Sequence, residues 1–146
     1  MSITLANEDK VLADVEREID MMNAKIHRAL RYAGEAGVNV ARDPHRATTF
    51  TDRTGNLRSS IGSVVIGQNS PQFGGFKPIN EGGEGADEGK VYAREIAATE
   101  SISTVSQRLC VVAGKEYASY VAANGYDVLD AAEIVSRKTF NELMQK

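Results

Sequence analysis

The side chains best suited to chemistry in this sequence are two histidines, one cysteine, a glycine- and acid-rich run and a pair of serines. His27 and His45 are the first candidates for proton transfer or metal binding, because imidazole titrates near neutral pH and ligates zinc. A zinc site takes four ligands, or three and a water, and no Cys or His stands at ligand spacing from either histidine. His27 falls at the edge of an apolar helical stripe beside Ile26 and Leu30, and His45 in a polar segment, so both read as bystanders. Cys110 sits inside the apolar run Leu109-Cys110-Val111-Val112 and reads as a small buried hydrophobe. A single cysteine allows no intrachain disulfide, which fits a reducing compartment.

The run Gly82-Gly83-Glu84-Gly85-Ala86-Asp87-Glu88-Gly89-Lys90 has the look of a phosphate-binding loop but fails its chemistry. A Walker A loop needs a glycine five positions before the Gly-Lys pair, where Glu84 stands, and a hydroxyl after the lysine, where Val91 stands. Glu84, Asp87 and Glu88 would also repel phosphate, so the run reads as a flexible acidic loop. The same acids lack the alternating carboxylates of a calcium loop. Ser59 and Ser60 lie in no Gly-x-Ser-x-Gly context. Asp9, Glu16 and Asp20 lie off the apolar stripe and read as its solvated face. The sequence thus marks no catalytic residue, no cofactor site and no metal site, and reads as a non-enzyme.

A chain of 146 residues points to one domain, and 42% hydrophobic residues suffice for a real core. A net charge of −3 gives no field that attracts nucleic acid generally. The N-terminus lacks a signal peptide's basic start and apolar stretch, and no window approaches the roughly 18 apolar residues of a membrane span. The expectation is a protein without a membrane partner, made and kept in a cytoplasm.

The elements that would position these residues begin with one long helix. Asn7 suits an N-cap, and Glu8 and Asp9 put negative charge in the first turn, where the helix dipole favours it. Val11, Val15, Ile19, Met22, Ile26, Leu30, Ala33, Gly37 and Val40 then recur every three or four residues, with the period of a straight amphipathic helix rather than a supercoil seam. Asp43-Pro44 ends it. Some 35 residues would reach roughly 50 Å, whereas a domain of this size is about 38 Å across. Either the helix breaks at Gly34 or Gly37, or its end rests on another subunit; the form favoured here is a helix unbroken at least to Gly34, with its exposed end an assembly surface. An unbroken helix should gain stability when both glycines become alanine. Ile19→Asp should prevent folding, and charge reversal at Arg17, Lys25 or Arg28 should matter little.

Beyond the helix, residues 43–53 read as a polar loop, then Thr54 caps a turn in which Leu57 and Ile61 point inward. Ser63 to Ile66 reads as a strand closed by Gly67, and 68–89 as a long mobile loop rich in glycine and acids. Asp87 is placed to cap a helix carrying Val91, Tyr92, Ile96 and Ala98, fading over 99–106. Leu109 to Ala113 reads as a central strand buried on both faces, Tyr117 to Ala123 as a short helix, and Tyr126 to Leu129 as a brief strand. Asp130 with Glu133 looks like a capping box opening a last helix with Val135, Phe140 and Leu143. The sum is α+β: a long N-terminal helix packed on a small, mostly antiparallel sheet, with a C-terminal helix and helices on one face.

Two stretches add a likeness. Thr54-Gly55-Asn56-Leu57-Arg58-Ser59-Ser60-Ile61 and Tyr117-Ala118-Ser119-Tyr120-Val121 resemble signature motifs of a phage family, the tail-component or neck proteins of gene-product-ten type. Family order is an N-terminal helix, the first motif, a strand, a variable loop, a strand, the second motif and a C-terminal helix, as here from Glu8 onward. The resemblance implies a virion protein of the neck that acts by assembly in head–tail joining. Its partners would be itself, as a ring of six or twelve copies, and neighbouring connector and tail proteins. Sequence-specific nucleic-acid binding is not implied, though the ring would lie near the DNA channel. The virion would be its location, with host cytoplasm during assembly. Arg58, Tyr117 and Tyr120 are the candidate interaction residues: an arginine fixed between two inward-facing apolar positions, and two tyrosines on one helix face. Two other classes stay open, a small protein-binding regulator of a mobile element and an enzyme whose site the sequence hides.

Overall fold

A computed structural model of the chain describes residues 7–43, 55–67, 70–79, 82–100, 106–114 and 128–146. Helix α1 spans Glu8–Ala41, α2 Asn56–Ser59, strand β1 Ile61–Ile66, β2 Gln72–Gly74, helix α3 Gly83–Glu100, strand β3 Arg108–Ala113 and helix α4 Asp130–Met144. The fold is α+β, with a long N-terminal helix, a three-stranded antiparallel sheet and a C-terminal helix. The expected short helix after Gly114-Lys115, with Tyr117 and Tyr120, lies outside the described residues, as do His45 and Thr54.

Strand β1, Ile-Gly-Ser-Val-Val-Ile, is rich in the β-branched residues that suit a pleated surface, and it lies in the middle of the order β2-β1-β3. Its register runs from Ile61 opposite Ala113 to Ile66 opposite Arg108, with Val64 opposite Phe73 on the other side. Every residue of β1 is buried, because alternate side chains meet different layers. Ile61 packs with Leu57, Val38, Ala41, Val128 and Ala132 under α1 and α4. Val64 and Ile66 pack with Ala97 of α3 on the opposite face. The sheet is therefore covered on both faces rather than one, and β1 rather than the 109–113 strand is central. Among the described residues strand β3 is an edge, and its residues are mostly half-buried.

Helix α1 continues unbroken through Gly34 and Gly37 for 34 residues, about 51 Å. Helix α4 lies antiparallel along its C-terminal half: Ser136 Oγ donates to the Ala33 carbonyl at 2.9 Å, and Lys25 Nζ to the Lys146 carbonyl at 2.9 Å. The crossing is built from small residues, Ala33, Gly37 and Ala41 against Ala132 and Ser136, which let the two backbones approach. A Cβ on Gly37 would overlap Ser136 Oγ and stand 3.0 Å from the Ala132 carbonyl oxygen. One on Gly34 would stand 2.8 Å from Leu109 Cδ1 and 3.0 Å from Ser63 Oγ. These glycines thus serve packing in a straight helix, and the stabilisation expected from alanine there does not follow.

Several local expectations change for similar reasons. Asn7 is at the N-cap of α1 without a side-chain cap bond, though Glu8 and Asp9 do occupy the first turn. Gly55, at φ 77°, precedes α2 in its N-cap position. The stretch 68–89, read as one loop, contains β2 and the first two turns of α3, which begins four residues before Asp87. Its glycines are places of contact: a Cβ on Gly85 would overlap the Asn56 carbonyl, and one on Gly89 would stand 2.5 Å from that of Ser60. Val128 and Leu129 are not in a strand, and Asp130 is the first residue of α4 after Leu129, with no cap bond.

Gly37→Ala is accordingly expected to lower unfolding free energy by about 1–3 kcal/mol, overpacking outweighing roughly 1 kcal/mol of helix propensity. Adding Ser136→Ala, which removes the overlapping hydroxyl, should recover part of the loss. Urea denaturation of the three chains checks this, and an unchanged or raised midpoint for Gly37→Ala would contradict it.

Candidate interaction surfaces

The first motif is spent inside the subunit. Asn56 Oδ1 accepts from the Gly85 N–H at 3.0 Å, Ser59 Oγ from the Ile79 N–H at 2.7 Å, and Ser60 Oγ donates to the Leu57 carbonyl at 2.7 Å. The Gly114 N–H reaches the Ser60 carbonyl at 3.1 Å. One short turn therefore ties together the start of α3, the segment after β2 and the end of β3. Such buried polar bonds matter because an abandoned partner pays its full desolvation. Arg58, read from sequence as a surface or interface charge, is only 7% exposed and interacts within the chain, so it is a buried arginine rather than a solvated one. Tyr117 and Tyr120 lie outside the described residues.

His27 is half-buried on α1, and among the described residues no group of three His, Cys, Asp or Glu side chains is arranged to hold a metal. The Gly82–Lys90 run is helix from Gly83, neither a phosphate-binding loop nor the acidic loop expected. Cys110 is half-buried beside Val64, Ile66 and Ala97. Burial, then the Glu100 carboxylate, pushes its thiol up, and Arg108 pulls the other way. No described helix is long and apolar enough to cross a membrane.

Two surfaces stand out. The first is the N-terminal arm of α1, where every residue from Asn7 to Met22 is exposed. Helix α4 covers α1 only back to Lys25, so about 22 Å of helix projects with its apolar stripe bare. Val11, Val15, Ile19 and Met22 form a shallow strip flanked by Asp14 and Glu18, with Leu12 beside it. Ile19, taken from its spacing as a core residue, is 54% exposed. Periodicity is the same in both halves of the helix; among the described residues, only the C-terminal half has something to pack on.

The second surface is a groove of about 320 Å³ between α1 and the β2 edge. Arg28, Arg31, Arg42 and Lys77 line it with one acid, Glu35, and the exposed rings of Tyr32 and Phe73. Arg42 holds it open: its guanidinium donates to the Gly75 and Lys77 carbonyls and anchors the chain after β2 to α1. Burial lowers the Arg42 pKa from its ordinary value. Arg28 and Arg31 are exposed and present their charge to the opening. Sequence reading missed this groove because its walls come from residues 28–42 and 72–77, each stretch unremarkable by itself. The chain matches no protein-family model, no curated protein and no solved structure.

Two outcomes follow from this placement. Ile19→Asp should fold with a melting curve within about 0.5 kcal/mol of the parent, as exposed substitutions do, whereas Leu57→Ala should cost about 2–5 kcal/mol. Circular-dichroism melts separate these, and an unfolded Ile19→Asp chain would return the arm to the core. For Cys110, the folded state holds the thiol proton more tightly than the unfolded chain. Its contribution to stability is present below the ordinary thiol range and is lost as pH rises through the raised value. Alkylation at mildly alkaline pH should be slower in the folded chain than in urea, and equal rates would count against that burial.

Proposed function

We propose that this chain is a structural subunit of a bacteriophage particle, acting by assembly in the neck where a head is joined to a tail. Two kinds of observation support the reading. The first motif, the strand that follows it and the terminal helices occur in the order of the neck proteins the sequence resembles, on an α+β fold. The observation that carries assembly is the projecting arm: an ordered apolar stripe in water is an aggregation hazard unless something covers it. In the neck the chain works as a ring of its own copies, six or twelve, seated between a connector ring and the end of the tail tube. The groove and the arm, rather than Arg58, are its contact surfaces.

The test is genetic and compositional. The chain should be present in purified particles and confined to the neck by antibody labelling, and its deletion should leave full heads beside unattached tails. Its absence from particles, with heads and tails still joining in the deletion, would end the reading.

A further inference from the structure

We infer that the acidic, apolar arm of α1 docks in the Arg28–Arg31 groove of a second copy of this chain, and that the contact runs head to tail. Charge selects the occupant. The arm from Glu8 to Asp20 carries Glu8, Asp9, Asp14, Glu16, Glu18 and Asp20 against Lys10 and Arg17, a formal charge of −4. Two arms laid together would bring −4 against −4, so the bare stripe is poorly covered by another arm. The groove offers the complement: Arg28, Arg31 and Lys77 for Asp14 and Glu18, and the exposed faces of Tyr32 and Phe73 for Val15, Ile19 and Met22. Arginine pairs carboxylates well and tyrosine is enriched at interfaces.

Helix geometry then fixes who docks on whom. Arm and groove share one continuous helix, so the arm cannot fold back on its own groove. At about 100° per residue, the stripe Val11-Val15-Ile19-Met22 points roughly opposite to Arg28, Arg31, Glu35 and Asn39. A copy that lays its arm on one neighbour therefore turns its own groove away, toward a third copy. Reciprocal pairing about a two-fold axis is excluded, and a contact of this kind closes into a ring or runs on as a filament. The inference deepens the neck-subunit reading and rests on it only for where such an assembly is used.

The test uses the purified full-length chain in sedimentation velocity and native mass spectrometry across a concentration series. The wild type should form a species larger than a dimer, weakened by added salt. Arg28→Glu with Arg31→Glu, and separately Asp14→Lys with Glu18→Lys, should each weaken association by about tenfold or more with unchanged circular dichroism. All four changes in one chain should restore it, because the charges are then exchanged between arm and groove. A wild type that stays monomeric, one that stops at a dimer, or a four-fold variant no better than its parents overturns the inference. So does a single-stranded oligonucleotide that binds the wild type and not the groove variant while assembly is unaffected by either. Presence in the particle neck is read separately, so docking in solution and location in the virion fail independently.

Discussion

The close crossing of α1 and α4 at Ala33, Gly37 and Ser136 is the contact on which the rest of the structure depends. Small side chains here contribute little apolar area each; what they permit is backbone approach, a side-chain bond to a main-chain carbonyl and dense packing. That approach places Val38, Ala41 and Ala132 over Leu57 and Ile61, and so closes one face of the sheet. It also decides what α1 does not do. Helix α4 is 15 residues and α1 is 34, so an antiparallel pair must leave half of the longer helix without a partner from within the described fold. The projecting arm is a consequence of unequal lengths joined at one end.

The other face follows from the turn at Asn56–Ser60. Its polar side chains bind main-chain groups of two other segments and of the turn itself, and α3 enters so close that Gly85 and Gly89 lie against its carbonyls. Phe76, Ala93 and Val112 then seal β1 from beneath. The first motif, from Gly55 to Ile61, thus helps to hold the body together.

What the sequence makes plain and what it hides divide along physical lines. The long helix is readable because its apolar period persists for eight turns and a proline ends it. Strand β1 is readable from its β-branched run, and the inward pair Leu57 and Ile61 from their spacing. Which half of α1 is buried is not readable, because Ile19 and Ala33 obey the same period and only α4 distinguishes them. Glycines misled twice: at Gly34 and Gly37, where alanine was expected to stabilise a straight helix, and as mobility at 82–89, when at both places the missing Cβ allows contact. Arg58 misled because an arginine between apolar positions has two outcomes, solvation or burial, and local pattern does not choose. The groove was invisible because two distant segments make it and Arg42 joins them.

The central claim is that α1 is one helix in two states, held by its own fold beyond residue 28 and covered before residue 23 only by another copy. Hydrogen exchange resolved along the full-length chain at low and high protein concentration tests this most directly. The account predicts that, in the dilute chain, amides of 29–41 are strongly protected and those of 8–22 exchange near the rate of a frayed helix. At high concentration, protection should appear together at 8–22 and at 72–77. Strong protection of 8–22 in the dilute chain, or an arm indifferent to concentration, would contradict it.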